Sequence, residues 1–191
     1  MKPPLTQKTV ILVNGIPASG KSSLARLISE HFSLPYLILD QFKEPFMAIY
    51  ARLSREQNRK LGWAAYEALW QTVRLAPAEC TYVIDAWFGF QSKETLVGYL
   101  QQAGVTQVLE VWNQISGPLA CQRYQKRISQ RPKGHPGEEY LPELNTLAQT
   151  ARPMAIGPVF SFKQGSHCGY GPLFLWLQQQ LYPAVEPASP V

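Results

Sequence analysis

Eight residues, Gly15-Ile16-Pro17-Ala18-Ser19-Gly20-Lys21-Ser22, match the pattern GxxxxGK[ST] at every fixed position and follow directly on the apolar run Thr9 to Val13. Glycine admits backbone conformations that turn successive N–H groups inward, so such a loop can cradle phosphate oxygens. A helix opening near Lys21 adds the positive end of its dipole. On this reading Gly15 to Ser22, with Ser23 beside them, bind the phosphates of ATP. Lys21 reaches the β and γ phosphates, and the Ser22 hydroxyl ligates Mg²⁺. The alternative is a glycine-rich strand-to-helix turn that binds nothing.

The chain has eleven glutamates and only two aspartates, and each aspartate stands just past a predicted strand. Tyr82-Val83-Ile84-Asp85 is an apolar run ending in a carboxylate, which beside the phosphate loop can hold Mg²⁺ directly or through water. Asp85 is therefore assigned to the metal, with a helix N-cap or loop acid as the alternative. Leu37-Ile38-Leu39-Asp40 ends the second predicted strand at the same rim. Phosphoryl transfer has a loose transition state, so a carboxylate there need only orient an acceptor hydroxyl and take its proton late. Asp40 is the candidate base; a helix N-cap is its alternative.

Arg123, Arg127 and Arg131 are spaced by four, and no acid occurs from Val111 to Gly137. Like charges at that spacing weaken an isolated helix, so the stripe asks for an anionic partner such as ATP or else forms a solvated basic face. It runs into Arg131-Pro132-Lys133-Gly134-His135-Pro136-Gly137, which cannot continue a helix and can hinge as a lid. His135 has no neighbouring His or Cys at ligand spacing, so a loop contact is expected there and not a metal. Phe42 and Phe46 follow Asp40, and Trp87, Phe88 and Phe90 follow Asp85. Five aromatics in those places predict either a pocket for a flat or apolar acceptor, or core packing. Trp63, Trp70, Trp112 and Trp176 fall in predicted helices or a strand and read as core.

These side chains need a frame to hold them. Thr9 to Val13, Tyr36 to Leu39, Thr81 to Ile84, Gln107 to Trp112 and Val159 to Phe162 read as buried strands, alternating with helical patterns. Leu24, Leu27 and Ile28 share one helical face, and Leu61, Ala64, Ala65, Ala68, Leu69 and Val73 form another. Further helices run from Ser92 to Gly104, from Ser116 to Pro132 and from Leu173 to Leu181. Strands separated by helices predict a parallel sheet covered on both faces, an α/β three-layer sandwich with its ligands at the strands' carboxyl ends. A single domain over 1–182, with a lid over about 123–142 and a short Pro-rich tail over 183–191, accounts for the whole of the 191 residues.

Composition narrows the partners. Hydrophobic residues make up 46% of the chain, too many for a disordered one, and the net charge of +5 favours anionic partners. There is no long basic patch with interleaved stacking aromatics, which argues against nucleic acid. The opening apolar run is too short for a signal core or a membrane span, so no membrane association is expected. Cys80, Cys121 and Cys168 show no paired CxxC spacing, and a reducing cytoplasm is the expected compartment.

GIPASGKSSLARL, the acid at Asp40, VIDAWF and CQRYQKRISQRPKGHPG together resemble the P-loop small-molecule kinases. The resemblance is closest to the ATP-binding proteins grouped with chloramphenicol phosphotransferase, and looser to gluconate and shikimate kinases and zeta-type toxins. It implies the P-loop nucleoside triphosphate hydrolase fold, a five-stranded parallel sheet with the Asp85 strand next to the loop strand, and ATP with Mg²⁺. It also implies an acid at Asp40 acting on a hydroxyl and lid arginines among Arg123, Arg127 and Arg131. Arg123 would pack on adenine, and Arg127 and Arg131 would serve catalysis. Asp40 is followed by Gln41-Phe42, where shikimate-type kinases have a second acid, so that acceptor is not carried over. The expected activity is transfer of the ATP γ-phosphoryl to a hydroxyl of a small, partly apolar molecule. A nucleotide-dependent regulatory module with slow ATPase activity is the second reading, and a kinase of nucleic-acid ends the third.

Overall fold

The computed structural model describes residues 7–50, 52–164 and 169–183. Its elements run β1 (Thr9–Asn14), α1 (Lys21–Phe32), β2 (Tyr36–Ile38), α2 (Leu39–Met47), α3 (Arg55–Leu75), β3 (Thr81–Ala86), α4 (Lys93–Gln102), β4 (Gln107–Gln114), α5 (Gly117–Arg127), α6 (Leu141–Thr150), β5 (Val159–Lys163) and α7 (Gly171–Leu181). The strands pair in parallel in the order β2-β3-β1-β4-β5, the sheet that the alternation of runs and helices predicts. β1 is central, between β3 and β4, and the chain leaves it for β2 on one side before crossing back over it from β3 to β4, so its carboxyl end opens at a switch point, where sheets of this kind bind ligands.

Successive strand residues point to opposite faces, and β1 therefore serves two cores. Val10 and Leu12 pack with Tyr66 and Leu69 of α3 and Leu96 and Leu100 of α4. Ile11 and Val13 pack with Leu24 and Ile28 of α1 and Leu173 and Leu177 of α7. These aliphatic side chains are buried to 4% exposure or less, and each contributes about 1.5–3 kcal/mol. A smaller cluster of Ile16, Ala120, Tyr124 and Leu144 ties α5 and α6 to the loop after β1.

Several elements differ from the sequence reading. α2 and α6 are not predicted, since prolines at 45 and 142 interrupt their patterns; Pro142 lies in the first turn of α6, where its missing N–H breaks no bond. The helix expected to reach Pro132 ends at Arg127 and gives way to a 3₁₀ turn over Ile128–Gln130. Pro132 forces Arg131 into extended backbone, at φ −85° and ψ 146°, so the three arginines do not share one helical face. Cys80 and Cys121 are free thiols. Cys168 and, apart from Pro183, the predicted tail lie outside the described residues. No helix among the described residues is long and apolar enough to cross a membrane.

One buried cation joins the carboxyl ends of both α3 and α4 to the sheet. Lys8 is 6% exposed, and its Nζ donates to the carbonyls of Val73, Arg74, Ala76 and Ala103, at the carboxyl ends of α3 and α4. A positive charge at two helix carboxyl termini meets both the dipoles and the orphan carbonyls. Replacing Lys8→Met keeps the volume and strips the donors. We expect a loss of about 2–3 kcal/mol, read as a lower urea midpoint at unchanged slope.

Candidate active site

The loop after β1 is shaped by close approach. A Cβ on Gly15 would lie 2.6 Å from Ser19 Oγ and 2.9 Å from the Asn113 carbonyl, so no larger residue fits. Gly20, at φ +84°, takes the left-handed turn that starts α1, and Ala18 is left-handed as well at φ +63°. Three buried hydrogen bonds fix where the loop starts. Asn14 Oδ1 accepts from the N–H of Gly15 (2.8 Å) and of Phe88 (3.1 Å), and Asn14 Nδ2 donates to Glu110 Oε1 (2.7 Å). Glu110 is 1% exposed and also accepts from the N–H groups of Met154 (2.9 Å) and Ala155 (2.7 Å). One carboxylate thus joins β1, β4 and the segment before β5. Neither Asn14 nor Glu110 was singled out from sequence, although a glutamate inside the apolar strand Val108-Leu109-Glu110-Val111-Trp112 is an available signal.

Asp85 is not past its strand but inside β3, paired in register with Val13 of β1 and Ile38 of β2. It shares the face of Val83, toward α1. It is 2% exposed; Tyr36 Oη donates to its Oδ2 (3.3 Å), and its Oδ1 is buried without a partner. Burial raises its pKa, while Lys21 and Ser22 pull the other way. Burial also raises the Tyr36 phenol, with the Asp85 charge beside it. Asp40 lies in the first turn of α2, and its side chain caps nothing. Neither acid is therefore an N-cap.

Lys21, Ser22, Asp40, Asp85, Arg127 and Arg131 line one cleft of about 550 Å³, whose loop side is formed by Pro17 and Ala18. Gly15, Ile16, Ser19, Gly20 and Ser23 belong to the same loop and helix start but do not line the cleft. Arg123 stands apart. Its Nη1 donates to Gln164 Oε1 (2.9 Å) close to Gly20, and Gln164 Nε2 donates on to Asn113 Oδ1 (2.8 Å). Arg127 faces the cleft without an ion-pair partner among the described residues. Arg131, expected to be unpaired, lies 3.5 Å from Asp40 Oδ2. The stripe thus divides among three environments because the helix ends between Arg127 and Arg131.

The aromatic side is also redrawn. Trp87 and Phe90 line the cleft, together with Trp63 of α3, whose ring meets Phe90 edge-on at 5.1 Å. Trp63 thus packs against the core, as read, and also faces the cleft. Phe88 is wholly buried and Phe42 packs against the same core, while Phe46 is 46% exposed. Lys43 and Arg59 enter the cleft from α2 and α3, and burial lowers the Lys43 pKa. Sequence reading missed both, since neither belongs to a motif.

The residues fit a nucleotide with a divalent cation. The loop offers a glycine-lined cradle at a helix start, and Asp85 presents a buried oxygen that lacks a partner. No group of three or more His, Cys, Asp or Glu among the described residues could hold a metal unaided. A cation here would share its ligands with phosphate oxygens.

No protein-family model matches the sequence, and no curated protein is significantly similar to it. Solved structures do match. A proposed kinase from Chloroflexus aurantiacus J-10-fl superposes with a TM-score of 0.76 at 23% identity, over 92% of this chain and 99% of that one. Shikimate kinase from Acinetobacter baumannii, solved with shikimate, gives 0.54 at 17% identity, over 92% and 93%. Kti12 from Chaetomium thermophilum, solved with ADP-AlF3, gives 0.61 at 17% identity, over 90% and 98%. By these likenesses, the chain has the fold of the P-loop small-molecule kinases.

Proposed function

We propose that the chain is an ATP-dependent kinase that transfers the γ-phosphoryl group to a hydroxyl of a small molecule with a flat or apolar part. The observation that supports it most is the single cleft shared by Lys21, Asp40, Asp85, two arginines and an aromatic wall. The loop amides and Lys21 bind and orient the phosphates, and Arg123, near Gly20, meets the base. Asp40, 55% exposed, is open to an acceptor hydroxyl and takes its proton; Arg127 and Arg131 offset charge on the moving phosphoryl. Mg²⁺, held by Ser22 and Asp85, would neutralise phosphate charge. Trp63, Trp87 and Phe90 exclude water and stack the acceptor. We read residues 1–182 as one domain, with 123–142 as its lid.

A regulatory module with slow ATPase activity is the second reading, favoured by the likeness to Kti12, a nucleotide-bound neighbour that is not named a kinase. ATP-dependent capture of a partner without a phosphorylated product would select it.

A screen of hydroxylated metabolites and antibiotics for acceptor-dependent ADP release tests the leading reading. Once an acceptor is found, Asp40→Asn lowers kcat about 10²–10⁴-fold at little change in KM for ATP. Lys21→Ala lowers kcat about 10²–10³-fold in a chain that still folds. ATP turnover that no acceptor raises, and that Asp40→Asn leaves alone, would sink the proposal.

Asp85 carries a cost in the empty protein. Its pKa is raised on folding, so the folded chain holds the proton more tightly than the unfolded one, and stability falls as pH rises through the folded pKa. Asp85→Asn should therefore stabilise the nucleotide-free protein by about 1–3 kcal/mol at pH 8 and by less at pH 4. The same variant should lose metal-dependent nucleotide binding. Thermal melts at both pH values and titration with Mg-ATP measure the two effects.

A further inference from the structure

The lid is fastened to α2, and the fastening converges on Arg131. A Cβ on Gly134, at φ +104°, would lie 2.9 Å from Met47 Cε and 2.9 Å from Leu53 Cδ1, so the lid backbone already rests on the end of α2. Next to it His135, whose side chain is 5% exposed, bridges two charged groups. Its Nδ1 is 2.8 Å from Arg131 Nη2 and its Nε2 is 3.0 Å from Glu44 Oε1. A guanidinium has no acceptor, so Nδ1 must accept; the ring proton then sits on Nε2 and is donated to Glu44. The other arm of the fork, Arg131 Nη1, donates to Tyr124 Oη (3.1 Å), which donates to the Pro136 carbonyl (2.8 Å).

We infer that His135 is a positioning residue: as the neutral Nε2–H tautomer, held by Glu44, it sets the Arg131 guanidinium beside Asp40 in the cleft. Both ends of the strut stand on rigid ground, because Asp40 and Glu44 are one turn apart on α2. A protonated ring would aim a donor at the guanidinium and release it. The charged or titratable groups facing His135 are Arg131 from the lid and Asp40, Lys43 and Glu44 from α2. Burial, then Arg131, lowers the His135 pKa below its usual 6.5. The contact is therefore present at neutral pH and is lost as pH falls through that lowered value.

The first test needs neither nucleotide nor acceptor, so it stands even if the kinase reading fails. Ring ¹⁵N correlations of the unsubstituted 191-residue chain separate its three histidines, His31, His135 and His167. We expect His135 to carry its proton on Nε2 at pH 7 and to become doubly protonated only in acid; an Nδ1–H form or an imidazolium at pH 7 would overturn the inference. The second test rests on the kinase reading. His135→Ala should lower kcat about 10- to 100-fold with KM for ATP nearly unchanged. His135→Asn, whose carbonyl can accept from Arg131, should recover most of that loss and remove the histidine limb from the acid side of the pH profile. An Asn variant as slow as Ala, or one that keeps the wild-type acid limb, counts against it.

Discussion

The loop after β1 holds itself by little more than one backbone bond, from the Ser19 N–H to the Ile16 carbonyl (3.2 Å), so something outside it has to fix where it starts. Here that holder is the buried pair of Asn14 and Glu110. The Asn14 carbonyl takes the first loop N–H and the N–H of Phe88, and the Asn14 amide is held in turn by a carboxylate that also gathers two N–H groups before β5. A carboxylate with three donors is well satisfied despite complete burial, whereas removing any one partner would leave a charge or an amide stranded. The start of the loop, the turn after β3 and the approach to β5 are thereby set relative to one another. Lys21 and Ser22 follow at the far end of that loop, where α1 begins.

Two of the seven buried side-chain atoms without a partner among the described residues lie at this loop. Asp85 Oδ1 and Ser19 Oγ are buried without partners, and a protein selected for stability alone would satisfy or remove them. Binding groups aimed in advance at a charged ligand have this character: their desolvation is met during folding, so little reorganisation is left for the reaction. The aromatic wall works in the same direction, since Trp63 and Phe90 keep one side of the cleft apolar and raise the strength of the charges opposite.

The segment proposed as a lid, 123–142, is built in two parts. Tyr124, Ile128, Tyr140 and Leu141 belong to or pack against the cluster around Ile16 and Leu144, whereas Arg131, Gly134 and His135 meet α2 through a few polar contacts and one glycine seat. Contacts of that kind are individually worth about 1 kcal/mol, an energy that ligand binding can exchange for others.

The P-loop spacing and the parallel sheet were legible in the sequence, because glycine positions and hydrophobic period are local properties that hold whatever surrounds them; which strand is central was not. That both aspartates would stand at one rim beside the loop was legible too, since each closes an apolar run. Their exact settings were not. Whether Asp85 lies in β3 or past it depends on strand pairing with Val13 and Ile38, and whether Asp40 opens a helix depends on α2 packing against α3. The arginine spacing misled because a period of four says nothing about where a helix stops, and Pro132 acts one residue upstream. Trp63, Lys43, Glu110 and the strut from Glu44 through His135 to Arg131 were decided by tertiary structure alone. Each joins residues far apart in the chain, and no local pattern encodes a contact whose two halves come from different elements.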